Sequence, residues 1–268
     1  LQYAWRDWFM KQIDKVFIVN LPRRTDRRSE METRLAALAL DPEIRSKFEF
    51  FPAVDGADID DVYMQRGNYG LWEHWKKPDH SLHFYRRDIR KGEIGCALSH
   101  VNIWKRVVEE NLDEVLILED DAGFDRHFKY LFERALKFCR HIGTQGNWDL
   151  LYLGRNAMTP DFMQVRNYLS VPGFSYCTHG YMVTRSGAEK LLSVGYEQNL
   201  IPVDEFLPSM FHQHIRADIL ERFSLPEPIG AFAITPNVVH QVDYTDSDTE
   251  CSSATIKGGE PPKIQAAS

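Results

Sequence analysis

Short apolar runs separated by longer amphipathic or polar stretches recur along most of this chain, and their periods predict its elements. "KVFIVNL" (15–21), "FEFFPAV" (48–54), "EVLILE" (114–119), "WDLLYLG" (148–154) and "GYMVT" (180–184) are short and rich in β-branched or aromatic residues, so they read as buried strands. "GEIGCALSHVNIWKRVVEENL" (92–112) instead sets Ala97, Val101, Trp104 and Val108 at helical spacing, which predicts a long amphipathic helix. Phe128, Phe132, Leu136 and Cys139 repeat the pattern. Met31, Leu35 and Leu38 do so earlier, with Ser29 and Glu32 spaced as a capping box. "SGAEKLL" (186–192) predicts another helix, capped by Ser186 with Glu189 and closed by Gly195, and "VDEFLPSMFHQH" (203–214) a last short one.

Alternation of strand and helix from residue 15 to residue 195 predicts an α/β fold: a Rossmann-like, mostly parallel sheet flanked by helices, with ligands at the carboxyl ends of the strands. No composition change marks a linker, so a single domain is expected over 14–245, with an extension at 1–13 and a polar tail at 246–268. Residues 67–92 show no period but hold Trp72, His74, Trp75, His80 and His83, which fits either a lid over a site or a flexible surface loop.

The net charge of −7 argues against a general nucleic-acid or anionic-membrane surface. No apolar run reaches the roughly 18 residues of a membrane span. The first residues lack the pattern of a secretory signal, but a chain that begins without Met makes that uninformative. The four cysteines (Cys96, Cys139, Cys177 and Cys251) have neither zinc-finger spacing nor the density of a disulfide scaffold, and buried thiols are expected.

Candidate chemistry begins where "EVLILE" runs into Asp120 and Asp121. In extended geometry Glu119 and Asp121 point the same way and would repel, and a divalent cation resolves the conflict. A solvated turn is the plain alternative. Neither a P-loop nor a G-x-G-x-x-G turn is present, which leaves metal-mediated binding as the consistent route to a nucleotide. After the first strand, "NLPRRTDRR" places Asn20, Arg23, Arg24, Arg27 and Arg28 where phosphate could lie, unless they form a basic helix start balanced by Glu30 and Glu32.

In order, "VFIVNLPRRTDRR", "FPAVDG", "KGEIGCALSHVNIWKRVVEENLDEVLILEDDAGF", "WDLLYLGR", "GYMVTRSGAEKLL" and "PVDEFLPSMF" resemble glycosyltransferase family 25 over residues 14–250. That family includes bacterial lipooligosaccharide galactosyltransferases and procollagen galactosyltransferases, and the last motif with "YTDSDTE" is more similar to the procollagen branch. Animal enzymes of that branch carry two such domains and an ER-retention tail, from which this chain departs by showing one domain and ending "KIQAAS".

The resemblance implies a GT-A-type fold, Mn²⁺ or Mg²⁺, a UDP-sugar donor (UDP-galactose first, UDP-glucose second) and inverting transfer to hydroxylysine of a collagen-like peptide. It assigns Glu119, Asp120 and Asp121 to the metal and nucleotide motif, and His240 to a further metal ligand. Inversion in one step needs a base facing the sugar, for which Asp204 is the first choice and Glu205 the second, with helix capping as the competing use of Asp204. Asp55, Ser99, His100 and Arg155 are candidates for donor or acceptor contacts. An ordinary turn, helix packing and a surface ion pair are their respective alternatives. Rival readings are a bacterial-type oligosaccharide galactosyltransferase, a UDP-glucose-using collagen glucosyltransferase, and a catalytically silent binding module. The expected compartment is the endoplasmic reticulum lumen for a eukaryotic source and the cytoplasm for a viral or bacterial one. A homodimer is one permitted assembly.

Overall fold

The computed structural model describes residues 10–143 and 148–242. The outer part of the expected N-terminal extension, the polar tail, Cys251 and "YTDSDTE" lie outside the described residues. In chain order the elements are β1 (Lys15–Asn20), α1 (Thr25–Ala37), α2 (Pro42–Arg45), β2 (Phe48–Pro52), α3 (Asp61–Gly67), α4 (Lys91–Glu109), β3 (Glu114–Glu119) and β4 (Ala122–Phe124). There follow α5 (Phe128–Gly143), β5 (Leu150–Ala157), β6 (Met163–Arg166), β7 (Leu169–Val171), β8 (Ser175–Thr184), α6 (Arg185–Ser193), α7 (Val203–Met210), α8 (Ala217–Phe223), β9 (Ala231–Ile234) and β10 (Val239–Gln241).

Eight strands form one sheet in the order β2-β1-β3-β8-β5-β9-β7-β6. β1, β2, β3, β5 and β9 run one way, while β8, between β3 and β5, runs against both neighbours. The layered α/β domain is therefore as expected, with a mixed sheet at its centre.

Both faces of the sheet are covered, which is why its strands read as continuous apolar runs. Alternate residues serve opposite sides. Phe17, Val115, Ile117, Tyr152 and Tyr181 join the core beneath α4, α6, α7 and α8. Val16, Ile18, Leu116, Leu118, Leu151 and Met182 join the core under α1 and α5. No helix among the described residues is long and apolar enough to cross a membrane.

Several local expectations shift. α1 begins at Thr25, so Ser29 lies inside the helix and caps nothing; Asp26 supplies the acidic first turn and binds the Arg24 guanidinium (Nη2–Oδ2 2.7 Å). The cap of α6 is Thr184, whose hydroxyl accepts from Gly187 N–H at 3.0 Å, and Ser186 donates to Asp149 instead. Gly195 does end that stretch, at φ +68°.

β8 starts at Ser175, five residues before the apolar motif that announces it, because β5 pairs with it back to Ser175, whereas β3 pairs only with Gly180 to Thr184. At Gly154 a Cβ would lie 2.1 Å from the Val239 carbonyl, so only glycine lets β10 cross β5 this closely.

The 67–92 segment is not a loose loop. Trp72, Trp75 and Tyr85 are buried, and the Arg216 guanidinium lies 4.9–5.6 Å from their ring centroids while donating to the Trp75 and His74 carbonyls. The rings are fastened to the corner between α7 and α8.

Candidate active site

β1 and β3 are parallel and in register, with Val19 opposite Glu119, so their carboxyl ends open side by side. A cavity of about 250 Å³ lies there, lined among others by Arg23, Arg27, Asp55, Cys96, Ser99, Glu119, Asp120, Asp121 and Gln241. The three acidic neighbours have different surroundings.

Asp120 is buried and occupied by fixed partners. Asn20 Nδ2 donates to it at 2.7 Å, the buried Arg27 guanidinium lies at 3.3 Å, and Arg34 donates to its carbonyl. Burial pushes its carboxyl upward while Asn20 and Arg27 pull it back. Glu119 accepts from the Thr178 hydroxyl at 2.5 Å and is pushed well up, first by burial and then by the Asp121 charge. Asp121 accepts from Gln241 through Oδ2 at 2.8 Å, but its Oδ1 is buried and has no hydrogen-bond partner.

A buried, unpartnered carboxylate oxygen beside a second crowded carboxylate is what a divalent cation would satisfy, so this end of the sheet fits an ion bound by oxygen ligands. A nitrogen is close as well. His179, within β8, is buried with Nδ1 unpartnered, and both Asp121 and His240 act on it electrostatically. Asp121 Oδ1 and His179 Nδ1 are thus free donors that could hold an ion.

Glu119, Asp121 and His240 are not themselves drawn into one tight group. Among the described residues, the group of His, Cys and acidic side chains with ligand atoms all within 4.8 Å is Cys96, His100 and Glu119. His240 is exposed on β10, opposite Gly123 of β4, and its ring lies so close that a Cβ on Gly123 would sit 2.5 Å from Nε2. It lies outside that first cavity, on a wall shared with Arg34 and Arg126.

Other candidates divide in the same way. Arg23 reaches Asp55 (2.5 Å), which also caps the following turn through Ala57 N–H, so Asp55 forms an ordinary turn and a cavity wall together. Ser99 donates to Gly95 O (2.7 Å) and accepts from Val54 N–H (2.9 Å), tying α4 to the chain after β2. His100 is fully buried against Tyr181, and burial pushes its pKa down to about 4. For these last two, packing is the observed role.

The second cavity, about 870 Å³, opens at the end of β5 and includes Arg155, Asp161, Tyr176, Cys177 and Asp204 in its wall. Arg155 lies within β5, buried, paired with Asp161 and donating to Ser175 Oγ at 2.7 Å. It is no surface ion pair. Asp204 occupies the first turn of α7 without capping it, since Pro202 is the N-cap, and its Oδ2 accepts from Cys177 N–H at 3.4 Å. Burial and the neighbouring Glu205 push Asp204 up to about 7.

Glu205 turns the other way. It is fully buried, accepting from Tyr85 Oη (2.8 Å) and bonded to His214 Nε2 (2.7 Å), and it lines neither cavity. Adjacent residues on a helix diverge by about 100°, so one of the pair faces the cavity and the other holds the Tyr85 segment.

Cys177, Thr178 and His179, which hold or lie beside the candidate carboxylates, were missed by sequence reasoning. They precede the apolar motif of β8 and carry no period of their own. The available signal was the polar "YCTH" directly upstream of "GYMVT".

The family model described as Glycosyltransferase family 25 (LPS biosynthesis protein) matches residues 13–207. The chain belongs to glycosyltransferase family 25. It is 35% identical over 239 residues to a "Glycosyltransferase 25 family member" of Aedes aegypti, covering 88% of this chain and 37% of that protein. It is also 35% identical to "Procollagen galactosyltransferase 1-A" of Xenopus laevis (89% of this chain, 38% of that one). A third relative, at 34%, is "Probable inactive glycosyltransferase 25 family member 3" of Bos taurus (90% and 39%). The chain spans less than two fifths of the length of each of these curated relatives.

Proposed function

We propose that this chain is a metal-dependent, inverting hexosyltransferase that moves galactose from UDP-galactose to the hydroxyl of hydroxylysine in collagen-like peptide. One observation carries the reading. Cys177 and Thr178 are neighbours on β8, and one holds Asp204 through its N–H while the other holds Glu119 through its hydroxyl. A single strand thereby sets a near-neutral carboxyl in one cavity beside the acidic cluster of the next.

In this reading the first cavity takes the nucleotide. Arg23 and Arg27 add positive charge on its wall, and Glu119 and Asp121, with His179 and His240 close by, would hold Mn²⁺ or Mg²⁺. Such an ion would neutralise the charge developing on the departing diphosphate. The second cavity takes the acceptor. Asp204 accepts the proton of the attacking hydroxyl, and a carboxyl at about 7 is far better matched to that task than one at an ordinary value. The procollagen galactosyltransferase name of the Xenopus laevis relative supports the choice of sugar and acceptor.

The name of the Bos taurus relative favours a second reading, a silent module with the same fold. UDP release decides between them. With Mn²⁺, UDP-galactose and a hydroxylysine peptide should give release that UDP-glucose and lactosamine-type glycans do not match. Release with the glycan alone would overturn the acceptor, and no release under any pairing would favour the silent module.

A further inference from the structure

The Cys96, His100 and Glu119 side chains make no part of the proposed transfer as a group, yet their ligand atoms converge to within 4.8 Å. We propose that they form a second, softer metal site, selective for Zn²⁺ over Mn²⁺ and Mg²⁺, which shares Glu119 with the oxygen-ligand site.

Cys96 and His100 are four residues apart on α4, a helix of 19 residues, so one rigid face presents both. His100 supplies the second, independent observation. The residue is fully buried, its Nδ1 is bonded to Tyr181 Oη at 2.8 Å, and its Nε2 has no partner. A buried ring nitrogen left unmatched carries a desolvation cost. A metal-binding histidine has this same arrangement, one nitrogen on the ion and the other fixed by an outer hydrogen bond. Metal binding requires the tautomer whose Nδ1–H donates to Tyr181, whose oxygen already accepts from Trp104 Nε1 at 2.9 Å and has a second lone pair.

Thr178 orients the third ligand by its bond to Glu119 Oε1. Cys96 and Glu119 both line the first cavity, so solvent can deliver the ion and complete its coordination. With Zn–S of about 2.3 Å and Zn–N of about 2.0 Å, tetrahedral ligands stand roughly 3.3–3.6 Å apart. The side chains need to close by about 1 Å, which is within rotamer adjustment. Thiolate and imidazole favour Zn²⁺, while carboxylates and water favour Mn²⁺ and Mg²⁺. Zinc binding stands whether or not the chain transfers sugar. Its consequence, that Zn²⁺ inhibits by drawing Glu119 from the other ion, rests on the proposed transferase reading.

The test is titration of the metal-free chain with Co²⁺ alone, followed by displacement with Zn²⁺. A near-ultraviolet thiolate-to-cobalt charge-transfer band should appear and saturate at a single ion per chain. Cys96→Ser should abolish it while Cys177→Ser keeps it, with circular dichroism confirming that both variants fold. X-ray absorption of the zinc-loaded wild type should show one sulfur and one imidazole, a readout that does not depend on either variant folding. An all-oxygen shell, no band in the wild type, or a band that survives Cys96→Ser would overturn the site, even where transfer assays succeed.

Discussion

The two cavities at the end of the sheet are both walled by carboxylates, but they manage the charge differently. On the Glu119 side, three successive acidic residues are sorted by their partners. Asp120 is hydrogen-bonded by Asn20 and ion-paired with Arg27, Glu119 is held by Thr178, and Asp121 is left with an unpartnered oxygen. On the Asp204 side, two successive acidic residues are sorted by direction, one toward the cavity and one into a buried bond with Tyr85 and His214. In both places a cluster of like charges in sequence contains a member fixed by buried partners and one left open to a cavity. Charge density therefore marks the neighbourhood of a site and does not by itself identify its working residue.

Breaking the members left open to a cavity should cost the most. Asp204→Asn should lower transfer by about 10²–10⁴-fold, the range of a positioned general base, with donor affinity retained in a calorimetric titration. In the wild type, activity should rise with pH through about 7 as Asp204 loses its proton, and the variant should lack that limb.

The same group sets a stability slope of known sign. A carboxyl at about 7 when folded, against about 3.9 unfolded, contributes stability that is complete below pH ~4 and is lost as pH rises through 7. Urea midpoints should therefore fall with pH less steeply in Asp204→Asn. Asp121→Ala should lower transfer by at least about a hundredfold, since removing even an outer partner of a metal ligand can cost that much. Its melting curve should stay close to wild type, because Asp121 uses only one side-chain bond.

The structural members should respond the other way, in stability. Arg27→Met leaves Asp120 buried with its charge partner gone and should cost about 3–5 kcal/mol in chemical denaturation. Ser99→Ala strands the Val54 N–H and should cost about 1–3 kcal/mol, with little change in the pH profile. If Ser99→Ala instead abolished donor binding at unchanged stability, Ser99 would belong with the reactive residues.

Much of this was legible in the chain. Strands 15–20 and 114–119 and the helix over 91–109 stand where their periods predict, because each buries an apolar face whose spacing is a local property. The acidic cluster and Asp204 were also singled out from pattern and resemblance. By contrast, the first half of β8 was not, since "SYCTH" has no apolar alternation and is drawn into the sheet by β5, which pairs with Ser175 and Tyr176. The 67–92 segment was equally opaque, since its rings find their partner in Arg216, more than a hundred residues downstream.

The order of apolar periods thus determined by itself that the chain would form a layered α/β domain with carboxylates at a strand end. Tertiary structure alone decided which carboxylates are free, because that depends on Asn20, Arg27, Thr178, Tyr85 and His214. These residues are remote along the chain and reach the acidic groups only after the sheet has assembled. A local pattern specifies what a segment buries, whereas the state of a buried charge depends on every neighbour around it.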